Sequence, residues 1–224
     1  MLNPNQQQAV KLVDGPVRII AGAGTGKTHT LISRTAYLIT EKKVDPTKIL
    51  VLTFTNKEAH ELISRLKEKE LPSVNAMTFH ALAAKLLRKF WKEDFKIITQ
   101  KEQIEILKEI INPDEKMKDV LMELDGIRSE STTPALHLQN TRLQEIIHQY
   151  KEILTEKNVI DFTGLLEKLI EVWAENPESL IKCQNLYQFI MVDEYQDVNQ
   201  AQIKIMKNLA ELHKNICVVG DPDQ

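Results

Sequence analysis

Cysteine is scarce in this sequence, since Cys183 and Cys217 are the only two among 224 residues. They are far apart and form neither a CxxC motif nor a Cys/His ligand spacing, which excludes a disulfide framework and a zinc site. We expect both to be small core residues in a reducing cytosol.

Charge of one sign is not in excess either. The 29 Lys and Arg residues against 32 Asp and Glu residues give a formal net charge of −3 and a pI of about 6.1. This balance excludes the overall positive charge that is typical of many nucleic-acid-binding proteins. A local basic groove on an acidic body stays possible.

Long apolar runs are also missing. No stretch approaches the roughly 18 apolar residues of a membrane span, and the N-terminus MLNPNQQQAV has neither the basic nor the apolar part of a signal peptide. The sequence therefore predicts a soluble, cytoplasmic protein. Its length suits one large domain or two small ones.

Short apolar runs are present, and each is bounded by turn or polar signals. They are VRIIA at 17–21, ILVLTF at 49–54, FIMVDE at 189–194 and ICVVGD at 216–221. Runs of this length, apolar at successive positions, are typical of strands buried on both faces of a parallel sheet. Helical patterns separate them, so the predicted fold class is α/β.

The middle of the chain differs from its two ends. From about Ile97 to Glu156 the pattern is helical and charged, without a convincing strand, and Pro113 and Pro134 divide it into separate helices. We predict an all-helical insertion over 97–155 within a domain formed by 1–96 and 156–224.

The stretch AGAGTGKT follows the first predicted strand and opens a helical pattern. A glycine-rich turn in this position is typical of a P-loop, in which backbone N–H groups and the positive end of the helix bind phosphate. Lys27 would reach the β- and γ-phosphates of a nucleotide, and the Thr28 hydroxyl would bind Mg²⁺. The alternative is a glycine-rich turn that contains Lys and Thr by chance. The predicted phosphate-binding residues are Ala21, Gly22, Ala23, Gly24, Thr25, Gly26, Lys27 and Thr28.

An acid pair lies at the carboxyl end of another predicted strand, in FIMVDEYQDVNQ. Asp193 would orient Mg²⁺, and Glu194 would activate the attacking water. Capping of the next helix is the alternative for the pair, and it is the preferred interpretation of Asp197. The TNKE segment at 55–58 does not indicate a GTPase, because Ala59 stands where a guanine-reading Asp is required.

In their order along the chain, the motifs resemble the N-terminal part of the UvrD/Rep/PcrA family of superfamily 1 DNA helicases. LNPNQ is similar to the adenine-reading Q motif, AGAGTGKT to motif I, TFTNKEA to motif Ia and TFHAL to motif Ib. VDEYQD resembles motif II, and VGDPDQ resembles the start of motif III. The resemblance implies a RecA-like P-loop NTPase domain, 1A, with the helical insertion as subdomain 1B.

The resemblance also implies roles for individual residues. Gln6 would read adenine, with His29 beside it where relatives commonly carry Arg, and Gln224 would sense the γ-phosphate. Residues at or near a single-stranded DNA path would be Thr53, Phe54, Asn56, Thr78, Phe79 and His80. Phe54 would stack on bases, with a core position as its alternative, while His80 would either contact phosphate or cap its helix.

For the intact family member, the implied activity is ATP-driven translocation on single-stranded DNA with 3′ to 5′ unwinding. The chain ends at Gln224, which we interpret as a truncation, natural or engineered, ahead of a second RecA-like domain. We expect this chain to bind ATP and Mg²⁺ but not to unwind DNA. The alternatives are a non-catalytic half-motor that holds nucleotide or DNA, and the motor part of an AddA/RecB-type helicase-nuclease. A further departure from the family is the VIDFTGLL segment, where Thr163 and Gly164 replace acids.

Overall fold

The computed structural model describes residues 2–22, 24–71, 73–91, 94–128 and 141–221. Ala23, Pro134 and Gln224, which carry sequence predictions, lie outside these ranges. None of the described helices is both long enough and apolar enough to cross a membrane.

The core of the molecule is a parallel sheet in the order β1-β7-β6-β2-β3. Its strands are β1 (Val17–Ile20), β2 (Ile49–Thr53), β3 (Asn75–Thr78), β6 (Phe189–Val192) and β7 (Ile216–Gly220), and all pairings are parallel. This architecture confirms the predicted α/β class and the parallel sheet. The central strands β2 and β6 are buried at every position, which explains their uninterrupted apolar sequences.

Helices alternate with these strands, as the sequence pattern predicts. They are α1 (Pro4–Lys11), α2 (Lys27–Thr40), α3 (Asn56–Glu68), α4 (Phe79–Phe90), α5 (Gln100–Ile110), α6 (Met117–Arg128), α7 (Thr141–Glu156), α8 (Gly164–Glu175), α9 (Pro177–Leu186) and α10 (Gln200–Ala210). Two short 3₁₀ helices span Pro46–Lys48 and Tyr195–Asp197.

The sheet separates two hydrophobic clusters. Leu50 and Leu52 of β2 point into one cluster with α4, α8 and α10, while Val51 points into the other with α2 and α3. Successive residues of a strand face opposite sides, so one apolar run supplies both clusters. The carboxyl ends of the strands are thereby supported by packed helices on both faces of the sheet.

The helical middle of the chain has a hydrophobic cluster of its own. Leu107 from α5, Leu124 from α6 and Ile146 and Tyr150 from α7 pack together there. Two short strands, β4 (Lys96–Ile97) and β5 (Val159–Ile160), pair in parallel where the chain enters and leaves this region. Pro113 lies in the turn between α5 and α6, as predicted.

Asp161 connects the helical middle to the rest of the molecule. Its buried carboxylate accepts hydrogen bonds from the Tyr150 hydroxyl at 2.7 Å and from the Gly164 N–H at 2.7 Å. One side chain thus joins α7 to the start of α8, which packs on the sheet.

Candidate nucleotide-binding site

The P-loop lies at the carboxyl end of β1, where the chain turns directly into α2. Gly24 and Gly26 have φ angles of 72° and 88°, a left-handed conformation that favours glycine. Gly26 is the N-cap of α2, and no side chain caps the helix there. The first N–H groups of α2 therefore face the loop and can bind an anion.

The predicted phosphate, metal and water-activating residues meet at this edge of the sheet. The Lys27 ammonium donates to Oε2 of Glu194 at 2.9 Å, and the Thr28 hydroxyl donates to Oδ2 of Asp193 at 2.8 Å. Lys27 and Asp193 are both buried. Side chains more than 160 positions apart in the sequence thus form two adjacent polar pairs.

The two acids experience different surroundings. Burial raises the pKa of Asp193 above its ordinary value, although the hydrogen bond from Thr28 opposes this. Burial also raises the pKa of Glu194, but hydrogen bonds from Gln196 and Lys27 outweigh it, and the net pKa is lowered. The Glu194 carboxyl is therefore held as a carboxylate that can accept a proton.

The backbone of Glu194 lies in the left-handed region, with φ 49° and ψ 50°. This conformation is uncommon for a residue that is not glycine and is found more often at functional sites than elsewhere. It turns the chain sharply after β6 and directs the Glu194 carboxylate towards Lys27.

Gln196 belongs to this site, although the sequence analysis assigned it no role. Its Nε2 donates to Oε2 of Glu194 at 2.8 Å, and its Oε1 accepts from the backbone N–H of Asp221 at 2.9 Å. A Cβ on Gly220 would lie 2.8 Å from that Oε1, so a larger residue at this position would displace the Gln196 amide. The signal in the sequence was its place in VDEYQD, two residues after Glu194.

Gln6 lies beside the P-loop. Its Oε1 accepts from the Asn3 N–H at 2.8 Å, completing a capping box at the start of α1, and its Nε2 donates to the carbonyl oxygen of Thr25 at 2.9 Å. His29 is exposed in the first turn of α2. The residues that would read a base are therefore adjacent to the residues that would hold phosphates.

The residues predicted along a DNA path differ in their exposure. Phe54 is 47% exposed at the end of β2, which excludes the core position considered as its alternative, and Asn56 is exposed at the start of α3. Thr53 and Thr78 are buried at strand ends. Phe79 is only 1% exposed and packs in the core, so its ring offers no surface to a base.

His80 stacks on Phe162, with ring centroids 3.7 Å apart and an interplanar angle of 16°. Burial lowers the pKa of His80 to about 4, so the imidazole is neutral near pH 7. Phe162 is 58% exposed beside a cleft of about 280 Å³. Phe162 lies in the VIDFTGLL segment, whose departure from the family pattern gave no prediction for this aromatic ring.

The helix cap predicted at Asp197 is wrong, and the cap considered as one alternative for His80 is not formed either. Thr78, not His80, caps α4 by accepting from the Ala81 N–H at 3.2 Å. Asn199, not Asp197, caps α10, because the 3₁₀ helix that includes Asp197 ends before α10 begins and Asn199 accepts from the Gln202 N–H.

The parallel sheet, the glycine turn at the end of β1 and the acid pair at the end of β6 define a P-loop α/β protein. Residues 2–224 match the model of the UvrD/REP helicase N-terminal domain. The chain belongs to that family, which confirms the resemblance found in its motifs.

Relatives with assigned names cover the entire chain. It is 37% identical over 243 residues to the ATP-dependent DNA helicase PcrA of Bacillus subtilis, covering 100% of this chain and 33% of that protein. The proteins of the same name from Staphylococcus epidermidis and Staphylococcus aureus are 35% identical, with the same coverage. The chain therefore spans about a third of the length of these relatives.

Proposed function

We propose that this chain is the ATP-binding N-terminal part of an ATP-dependent DNA helicase that translocates 3′ to 5′ on single-stranded DNA. The observation that carries the proposal is the pairing of Lys27 with Glu194 and of Thr28 with Asp193, at 2.9 and 2.8 Å, at the edge of a P-loop sheet. The names of its relatives support the DNA substrate.

Two regions of packing support a division of the chain into two domains. We assign 1–96 and 156–224 to the motor domain 1A and 97–155 to the insertion 1B. The separate hydrophobic cluster of α5, α6 and α7 supports this division, as does the pairing of β4 with β5 near its two boundaries. A second RecA-like domain would be the partner that completes the motor.

The donor set suits Mg²⁺. The Thr28 hydroxyl and the Asp193 carboxylate are hard oxygen ligands, and Mg²⁺ typically takes one or two protein ligands together with water and substrate phosphates. In this role Thr28 and Asp193 hold the ion, and the ion supplies charge neutralisation to the nucleotide phosphates.

The other side chains of the site bind the phosphates and the adenine and take part in hydrolysis. Lys27 and the N–H groups of the P-loop bind the phosphates, while Gln6 and His29 contact the adenine. Glu194 accepts the proton of the attacking water, and the hydrogen bonds from Gln196 and Lys27 keep its carboxyl ionised and fix its orientation. Gln224 senses the γ-phosphate.

Single-stranded DNA would cross the carboxyl ends of β2 and β3. Phe54 and the His80–Phe162 stack present aromatic surface there, and aromatic faces bind bases regardless of sequence. Asn56 and the hydroxyl groups of Thr53 and Thr78 lie at the same edge, whereas Phe79 supports the edge from the core. The buried free thiols of Cys183 and Cys217 support a reducing cytoplasmic location.

Nucleotide binding is tested by titrating the chain with a fluorescent ATP analogue in the presence of Mg²⁺. Lys27→Ala should weaken binding roughly tenfold or more, because a charge-assisted contact to phosphate is lost. Lys67→Ala, on the exposed last turn of α3, is the matched control and should bind as the parent chain does. Equal affinities for the two variants would contradict the assignment of the P-loop.

A further inference from the structure

Arg34 is a buried cation that the proposed chemistry does not use. It lies in α2, about two turns after Lys27, and is only 1% exposed. Its guanidinium donates to three backbone carbonyl oxygens, those of Ala9 at 2.8 Å, of Leu12, and of Val13 at 3.2 Å. Among the described residues Arg34 forms no salt bridge, and its Nε has no hydrogen-bond partner there.

These carbonyls belong to the end of α1 and the residues that follow it. The last carbonyl groups of a helix have no partners within the helix and carry partial negative charge. Arg34, a residue of α2, therefore supplies the hydrogen-bond donors that the carbonyl groups at the end of α1 lack within their own helix.

Few apolar contacts hold α1. Its sequence is PNQQQAVK, and Val10 is its one buried residue. Burial of a single valine side chain stabilises the packing of α1 only weakly. The position of α1 therefore depends on polar contacts at its two ends. At the first end Gln6 donates to the P-loop carbonyl of Thr25, and at the second end Arg34 binds the terminal carbonyls.

Arginine is suited to this position. Burial lowers the pKa of Arg34, which shows that its charge is desolvated, and desolvation of a charge is costly. A planar guanidinium can donate to several acceptors at fixed angles, whereas a lysine ammonium is a compact charge on a flexible stem. An apolar side chain would pack without this cost but would leave the carbonyls of α1 without a donor.

We propose that Arg34 is a positioning residue for recognition of the nucleotide base. By anchoring α1 to α2, it keeps Gln6 beside the P-loop, so that base and phosphates are bound by one rigid unit. The inference rests on the proposed function, because Gln6 is the residue assigned to adenine. Arg34 itself touches no nucleotide.

The test compares two competitors of the fluorescent ATP analogue in the 224-residue chain: ATP, and inorganic tripolyphosphate, which has the phosphates but no base. Arg34→Lys should weaken ATP about tenfold and leave tripolyphosphate unchanged. Amide hydrogen exchange within α1 should become faster at the same time. Arg65→Lys, on the exposed face of α3, is the matched control and should change neither quantity.

Each remaining outcome overturns the proposal. Equal weakening of ATP and tripolyphosphate would mean that Arg34 supports the P-loop generally and not base recognition. Unchanged ATP affinity would mean that α1 needs no anchor. Arg34→Met is measured beside Arg34→Lys, because lysine can still donate hydrogen bonds to the carbonyl oxygens of α1 and methionine cannot. Failure of the parent chain and of Arg65→Lys to bind either competitor would instead reject the proposed function, and this inference with it.

Discussion

Two phenylalanines from neighbouring motifs show how exposure separates a surface role from a core role. Phe54 directly follows β2 and is 47% exposed, whereas Phe79 starts α4 and is 1% exposed. Both were predicted near DNA from their motifs, and both follow a strand. Only Phe54 has a face that a base could cover.

Alanine substitutions should separate these two roles. Phe54→Ala should cost about 1–3 kcal/mol in binding of a labelled oligo-dT, measured by fluorescence anisotropy, because one stacking surface is lost. Its thermal unfolding should stay close to that of the parent chain. Phe79→Ala should lower the free energy of unfolding by about 3–5 kcal/mol through the cavity it leaves. A similar loss of stability in both variants would place Phe54 in the core.

At the residue scale, local spacing predicted which motif residues would meet at the proposed site, but not the contacts that join those motifs to other parts of the chain. Lys27, Thr28, Asp193 and Glu194 could be predicted because each lies in a short motif beside an apolar run. The role of Gln196 depends on its approach to Asp221, which is 25 positions away and meets it only through the pairing of β6 with β7. No local pattern contains that information.

At the scale of elements, apolar runs predicted β1, β2, β6 and β7 but not β3. The sequence NAMT of β3 has only two apolar residues, and its pairing with β2 holds it in the sheet. The predicted strands also ran one or two residues too far. Ala21, Phe54, Asp193 and Asp221 have already left the sheet, because the loops at the carboxyl ends of the strands begin there.

The cap of α10 gives a prediction with a matched pair of variants. Asn199 accepts from the Gln202 N–H at 2.9 Å, while the Gln202 side chain accepts from the Asn199 N–H in return. Asn199→Ala should therefore lower the free energy of unfolding by about 1 kcal/mol. Asp197→Ala, two residues earlier and exposed, should stay within about 0.5 kcal/mol of the parent chain. Denaturant titrations measure both, and the opposite ranking would restore Asp197 as the cap.

At the scale of the whole molecule, the sheet brings together the proposed nucleotide-binding residues from both ends of the chain. Lys27 from the first third and Glu194 from the last third form one ion pair, although the helical middle lies between them in the sequence. Because β7 lies between β1 and β6 in the sheet, the complete sheet can form only when the chain has been made through β7. Within the described ranges, neither acid forms an ion pair with an arginine.

Because neither acid pairs with an arginine among the described residues, we expect ATP hydrolysis by this chain to be slow. An arginine that contacts the transferring phosphoryl group is worth about 10³–10⁵ in rate in P-loop enzymes. We expect the purified chain to bind ATP with Mg²⁺ but to hydrolyse it very slowly and without unwinding a DNA duplex. Single-turnover hydrolysis with the chain in excess measures this rate, and Glu194→Gln gives the background.

A rate equal to that background would favour the non-catalytic half-motor, which holds nucleotide without turnover. A slow rate that Glu194→Gln abolishes would show that the acid pair works and that acceleration is what the chain lacks. Rapid ATP hydrolysis stimulated by single-stranded DNA would contradict the expectation, because the described residues would then have to provide both catalysis and its coupling to DNA. Rapid hydrolysis would exceed the slow rate by about 10³–10⁵, and comparison with Glu194→Gln separates the slow rate from the background.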